Sequence, residues 1–242
     1  GTPVFATSFA PFISMRASEQ IRMNMGYMHL NIKAVGIGSG LAMNTLGSSH
    51  FGLEDISVMR TVPGMTILCP SDGLQIAKSI EAAKKYNGPV YIRLTGGTDI
   101  IYEEDFIYEI GKSIVLQKGE KVALLATGSI VSQTLKAAEI LKKYGIICTV
   151  IDMHTVKPLD TEMLEKLAGY EPVVTVEEHT IIGGLGSAVA EYYACRAQRP
   201  RQCLIGINDF YPHPGNYEYL LEECGLTSEK IAERVMKVYA ER

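Results

Sequence analysis

The chain has 242 residues, 47% of them hydrophobic and 21% charged, and a formal net charge of −4. Such a mix belongs to a globular protein with a substantial core, arranged as one large domain or two modest ones. It carries no basic block and no apolar run of about eighteen residues, so neither nucleic acid nor a membrane is an expected partner.

The sequence opens without an initiator Met or a positively charged leader, on an apolar stretch, Val4 to Phe12, that reads as buried. Asn31–Ile37 is a β-branched run ending in glycines, and Gly64–Cys69 is a short apolar strand stopped by Pro70. A helix is predicted next, with Ser71 as N-cap and Asp72 in its first turn. Leu74, Ala77, Ile80 and Ala83 share one face of it, and Gly88-Pro89 ends it. Val90–Leu94 follows as a strand, and the pattern lapses after Gly96-Gly97. Residues 99–120 lack a helical period and read as a crossing linker.

Regularity resumes with a strand at Val122–Ala126 and an amphipathic helix from Ser129 to Tyr144, closed by Gly145. Ile146–Asp152 is another strand, Asp160 caps a helix, and Val173–Glu177 is a strand. Gly183-Gly184-Leu185-Gly186 opens a helix through Ala194, and Thr227 caps a last one with Ile231, Val235 and Val238 inward. Strands alternating with helices predict an α/β fold of two three-layer domains with mainly parallel sheets. The division is expected at 1–114 and 115–242, with the first unit lacking its beginning.

Two glycine clusters invite a nucleotide reading. Gly36-Ile37-Gly38-Ser39-Gly40 follows a strand, but the dinucleotide fingerprint needs another glycine spacing and position 41 is Leu. The glycines at 183, 184 and 186 could present amides to an anion at a helix N-terminus, or serve close packing. The cysteines at 69, 148, 195, 203 and 224 form no CxxC and no metal-ligand spacing. They read as small core residues of a protein in a reducing cytoplasm.

The most informative stretch is Leu46-Gly47-Ser48-Ser49-His50-Phe51-Gly52-Leu53-Glu54-Asp55, running on to Arg60. It sets a histidine in a Gly/Ser turn before a helix, near a sheet end, where open α/β folds bind ligands. On chemistry alone a single histidine is more often structural than functional.

This segment resembles the pyrimidine-binding domain of the transketolase superfamily, and other segments continue the likeness in order. Thr7 to Phe12 with Arg16 to Arg22 is similar to the family's aromatic segment, and Cys69-Pro70-Ser71-Asp72 and Gly88 to Arg93 keep the register. Thr155 to Asp160, and Thr175 to His179 with the glycines after it, resemble the C-terminal domain. The likeness spans nearly the whole chain.

It implies a thiamine-diphosphate enzyme that cleaves a carbon–carbon bond beside a ketone and transfers a two-carbon ketol unit between sugars. Phe9 and Phe12 would lie against the aminopyrimidine ring, and His50 would bond a substrate oxygen or carry a proton. The family's essential glutamate lies upstream of the aromatic segment and is not found here. Nor is the Gly-Asp-Gly that marks the Mg²⁺ and diphosphate site, so the chain itself is expected to hold no metal. A companion chain or domain would supply both, in a homodimer or heterotetramer, and this chain alone would be inactive. The family's substrate-reading aspartate, phosphate-holding histidine and following arginine fall at Leu46, Gly38 and Gly96, which disfavours pentose phosphates. Alternatives are the beta subunit of a 2-oxo acid dehydrogenase, a deoxyxylulose-phosphate synthase fragment, and a non-catalytic module of the same fold.

Overall fold

A computed structural model describes residues 2–96 and 99–241; Gly1, and Gly97 of the expected glycine break, lie outside them. The first half runs β1 (Val4–Phe9), α1 (Ser18–Ile21), β2 (Ile32–Ile37), α2 (Asp55–Arg60), β3 (Thr66–Leu68), α3 (Gly73–Lys85) and β4 (Val90–Leu94). Wider helical turns, Phe12–Arg16 and Arg22–Tyr27, flank α1. The second half runs β5 (Ile114–Gln117), β6 (Val122–Thr127), α4 (Val131–Lys143), β7 (Cys148–Asp152), β8 (Thr155–Lys157) and α5 (Thr161–Lys166). It ends with β9 (Val173–Thr180), α6 (Leu185–Ala194), β10 (Gln202–Ile207), α7 (Tyr217–Glu223) and α8 (Ser228–Ala240).

Two five-stranded sheets result, ordered β1-β2-β4-β3-β8 and β10-β9-β6-β7-β5. Each is parallel except for one antiparallel edge strand, β8 on the first and β5 on the second. The expected α/β class with mainly parallel sheets is therefore what the chain adopts. The period of two sorts the strand side chains into layers. Leu124 and Ala126 of β6 enter a core under α4 and α8, while Ala123 and Leu125 enter another beside α5 and α6. That second core also takes Ala34, Ile67 and Tyr91 from the first sheet, so the two sheets share a continuous apolar interior. A smaller core, with Val35, Leu68, Val90 and Ile92, lies on the other face of the first sheet and takes in Ala83 of α3.

Several sequence expectations need correction. The opening apolar stretch is not buried: β1 is an edge strand, with Val4 56% exposed and Phe5 40%, and Ala10 is its first fully buried residue. Asp72, not Ser71, caps α3, its carboxylate accepting the Gln75 amide at 2.8 Å. Ser71 instead donates to the buried Asp152 carboxylate at 2.9 Å. The inward face of α3 is Gln75, Ser79 and Ala83, and Ile80 points outward, because the helix sits over that polar cluster. The linker contains β5, and β8 and β10 were not anticipated. Cys195 is exposed, unlike the four other thiols. Asp160 and Thr227 cap their helices as expected.

Candidate active site

β1 and β2 run parallel, so their C-terminal ends open on one side of the sheet. Phe9 closes β1, Phe12 begins the next helical turn, and the chain leaving β2 carries His50 back to them. The three rings meet edge to face: Phe9–Phe12 at 5.8 Å, Phe12–His50 at 5.2 Å and Phe9–His50 at 6.0 Å between centroids. The Arg16 guanidinium lies 4.0 Å over the Phe12 ring. All three rings are half-buried, which leaves apolar surface for a flat heteroaromatic ligand. The Ser49 hydroxyl lies 3.0 Å from His50 Nδ1, which leaves Nε2 available to an incoming group.

His50 rides on a loop closed at its neck. Gly40 and Gly52 exchange two backbone hydrogen bonds, at 2.9 and 3.0 Å. Gly40 has φ +64°, and a Cβ there would run into the Glu178 carboxylate, so the position admits no side chain. No α-helix opens on the 36–40 glycines; a 3₁₀ turn, Asn44–Leu46, follows them.

Behind the loop lies a network of buried charges. Arg93 and Asp55 are 2% and 1% exposed, and Arg93 Nε sits 3.1 and 3.0 Å from the two Asp55 oxygens. Tyr91 donates its hydroxyl to Asp55 at 2.6 Å, and Arg93 Nη2 donates to the carbonyls of Gly52 (3.0 Å) and Glu178 (2.9 Å). Burial opposes the Arg93 charge, but the Asp55 carboxylate beside it wins and holds the guanidinium above its ordinary value. His179 is pushed down to about 4 by burial, so it is neutral. Its Nδ1 lies 2.7 Å from the Thr180 carbonyl and its Nε2 accepts the Ser57 amide at 3.4 Å, which fixes the proton on Nδ1.

The glycines at 183–186 face an anion of the chain's own. Glu177 accepts the amides of Leu185 (2.7 Å) and Gly186 (2.8 Å) at the start of α6. Burial raises Glu177 to about 7 even though those amides favour its charge. Both readings of that cluster are thus partly met, since Gly186 also packs against Leu204 and Thr175.

At the substrate-reading positions, Leu46 is 51% exposed and nothing stands within 4 Å of a Cβ built on Gly96. Gly38 has φ +60°, and a Cβ there would meet the Met43 side chain. Among the described residues no three His, Cys, Asp or Glu side chains are grouped to hold a metal, and no helix is long and apolar enough to cross a membrane. The sequence reading named Phe9, Phe12 and His50, and the fold brings them together. It read Asp55 as suited to a helix's first turn, where it stands in α2, and assigned no role to Tyr91, Arg93, Glu178 or His179. The available signal was polar residues inside apolar strands: Tyr91 and Arg93 share one face of β4, and Glu177-Glu178-His179 ends β9.

Two family descriptions match the chain: "Transketolase, pyrimidine binding domain" over residues 1–97, and "Transketolase, C-terminal domain" over residues 111–231. A protein of Methanocaldococcus jannaschii named as a transketolase C-terminal section is 42% identical over 240 residues, covering 98% of this chain and 75% of its own. The 6-deoxy-6-sulfo-D-fructose transketolase subunit of a Clostridium species is 37% identical over 236 residues, 97% of this chain and 73% of its own. A solved structure described as "Split gene transketolase, inactive beta4 tetramer" superimposes with a TM-score of 0.89 at 37% identity, covering 97% of this chain and 75% of that one.

Proposed function

The chain belongs to the transketolase family, and we propose that it is one subunit of a split, thiamine-diphosphate-dependent enzyme that moves a two-carbon ketol unit between sugars. The convergence of Phe9, Phe12 and His50 at the C-terminal ends of β1 and β2 carries this reading. When bound, thiamine diphosphate supplies the carbon–carbon bond chemistry and the carbanion stabilisation. Phe9 and Phe12 hold its pyrimidine ring by apolar contact, and His50 Nε2 donates to, or takes a proton from, a substrate oxygen.

The Mg²⁺ and diphosphate ligands come from a companion chain or domain. The 242 residues contain no Gly-Asp-Gly, and no grouped metal ligands occur among the described ones. In keeping with this, the similar split-gene structure is described as an inactive β4 tetramer. Exposed apolar side chains on β1 and the following helical segment (Val4, Phe5, Met15, Tyr27 and Met28) give a companion or second copy a surface to cover. The enzyme works in the cytoplasm, as a dimer or heterotetramer.

The substrate lacks a phosphate at the end that positions 38 and 96 read by resemblance, because neither glycine offers a charged donor, and Leu46 offers no carboxylate to a substrate hydroxyl. The test is to purify the chain gently from the cells that make it, identify companions by mass spectrometry, and assay ketol transfer. A companion bearing Gly-Asp-Gly and transfer activity dependent on both chains are expected. A chain recovered without such a companion, and without activity, would instead be a non-catalytic module of the same fold.

A further inference from the structure

We infer that Glu178 is a positioning residue for this reaction: from the second half of the chain, its carboxylate grips the neck of the loop that carries His50. The inference rests on the role proposed for His50. Glu178 Oε1 accepts the Leu41 amide, the first residue past the Gly40–Gly52 neck, at 2.6 Å. Its Oε2 accepts the hydroxyls of Ser129 (2.9 Å), within the 3₁₀ turn before α4, and of Tyr217 (2.5 Å), which starts α7. Its own carbonyl accepts Arg93 Nη2, and the same Nη2 reaches the Gly52 carbonyl on the other side of the neck. Both sides of the neck are therefore tied to one residue of β9.

Apolar anchors reinforce the tie. Leu41, Phe51 and Leu53, which bracket the loop, are at most 2% exposed and lie in the core built by β6, β9, β10, α4 and α8, not in the core of their own sheet. Pro214 lies 3.4 Å from where a Gly47 Cβ would stand, so the second half also touches the turn that precedes His50. Between these anchors the backbone bonds of residues 43–50 stay within the loop, such as Asn44 to Leu41 (2.9 Å) and His50 to Gly47 (2.9 Å). The histidine's place is set at the neck, and the neck is set by the second sheet. The C-terminal half thus does more than complete the fold: it holds a group that touches substrate.

The test compares Glu178→Ala with Glu178→Gln in the complete enzyme and in the chain itself. Gln keeps an oxygen for Leu41, and the Ser129 and Tyr217 hydroxyls can turn to accept its amide. For Glu178→Ala, amide exchange of peptide 41–51 speeds by at least about tenfold, while peptides of β6 and β9 keep their rates. In the complete enzyme kcat falls about 100-fold, with KM changed less than about threefold, as for a misplaced catalytic group. Glu178→Gln restores most of both. Exchange unchanged at 41–51, or raised equally across β6 and β9, overturns the inference, as does a Gln variant no better than Ala. If the Ala variant does not accumulate, Tyr217→Phe, which takes one hydroxyl from Glu178 Oε2, must speed exchange of 41–51 while β6 and β9 keep their rates. Failure of the functional reading is seen separately: His50→Ala would then keep full activity, whatever the loop exchange shows.

Discussion

Removing the Asp55 carboxylate strikes the junction where the buried charges meet. In Asp55→Ala the Arg93 guanidinium, with both side chains at 1% exposure or less, loses two contacts at 3.0–3.1 Å, and the Tyr91 hydroxyl loses its acceptor at 2.6 Å. An uncompensated buried charge costs about 3–5 kcal/mol and an orphaned hydroxyl about 1–3 kcal/mol. The two losses share one carboxylate and are not independent, which puts the sum near 5 kcal/mol. Domains of this kind are stable by only about 5–15 kcal/mol, so the variant should be marginal. Asp55→Ala combined with Arg93→Met removes both charges, the Tyr91 hydroxyl still losing its acceptor. It gives up the Arg93 bonds to two carbonyls, but Gly52 keeps the Gly40 amide as donor. Its cost should be about 2 kcal/mol, so the double variant is more stable than the single one. Urea unfolding followed by far-UV circular dichroism and by the thirteen tyrosines reads this directly, since there is no Trp. A single variant costing under about 1 kcal/mol, or a double variant costing the sum of its parts, would refute the reasoning.

Other outcomes follow from the same geometry. His50→Ala should lower ketol transfer by the complete enzyme at least about 100-fold while shifting stability by less than about 0.5 kcal/mol, because the ring is half-exposed. Phe12→Ala should weaken thiamine diphosphate binding about tenfold, read by calorimetry on the complete enzyme, and an unchanged affinity would remove Phe12 from the cofactor site. Burial pushes His154 down to about 4, and its ring stacks on Tyr108 at 4.2 Å. Below pH 6.5 the unfolded chain takes a proton that the folded one refuses, so its stabilising share is whole above pH 6.5 and is lost as pH falls toward 4, about 3 kcal/mol in all. The buried Asp152, raised to about 6, acts the other way, so the readout is the difference between the parent and His154→Phe, which should narrow by that amount between pH 7.5 and 4.5.

Strands whose two faces are both covered were legible as apolar runs: Val122–Ala126 is unbroken, and Val90–Leu94 is broken only by Arg93. Caps with a local donor pattern, Asp160 and Thr227, were legible too. Val4–Phe9 was misread because hydrophobicity does not tell whether an edge strand is covered. The inner face of α3 was misread because Gln75 is buried by partners far off in sequence, Tyr102 and Asp152, and Ser79 turns its hydroxyl to the helix's own Ile76 carbonyl. The three aromatic site residues were found through resemblance, not periodicity. Asp55, Arg93 and Glu178 escaped because a buried charge looks like a surface charge until its partner, 38 to 137 residues away, is known.

The most direct test of the central claim is calorimetric titration of thiamine diphosphate, with Mg²⁺ present, into this chain alone and into its complex with the Gly-Asp-Gly companion. Saturable binding by the complex and none by the single chain is the result predicted. Equal binding by the chain alone would contradict a site divided between two components, and no binding by either would contradict a thiamine-dependent role altogether.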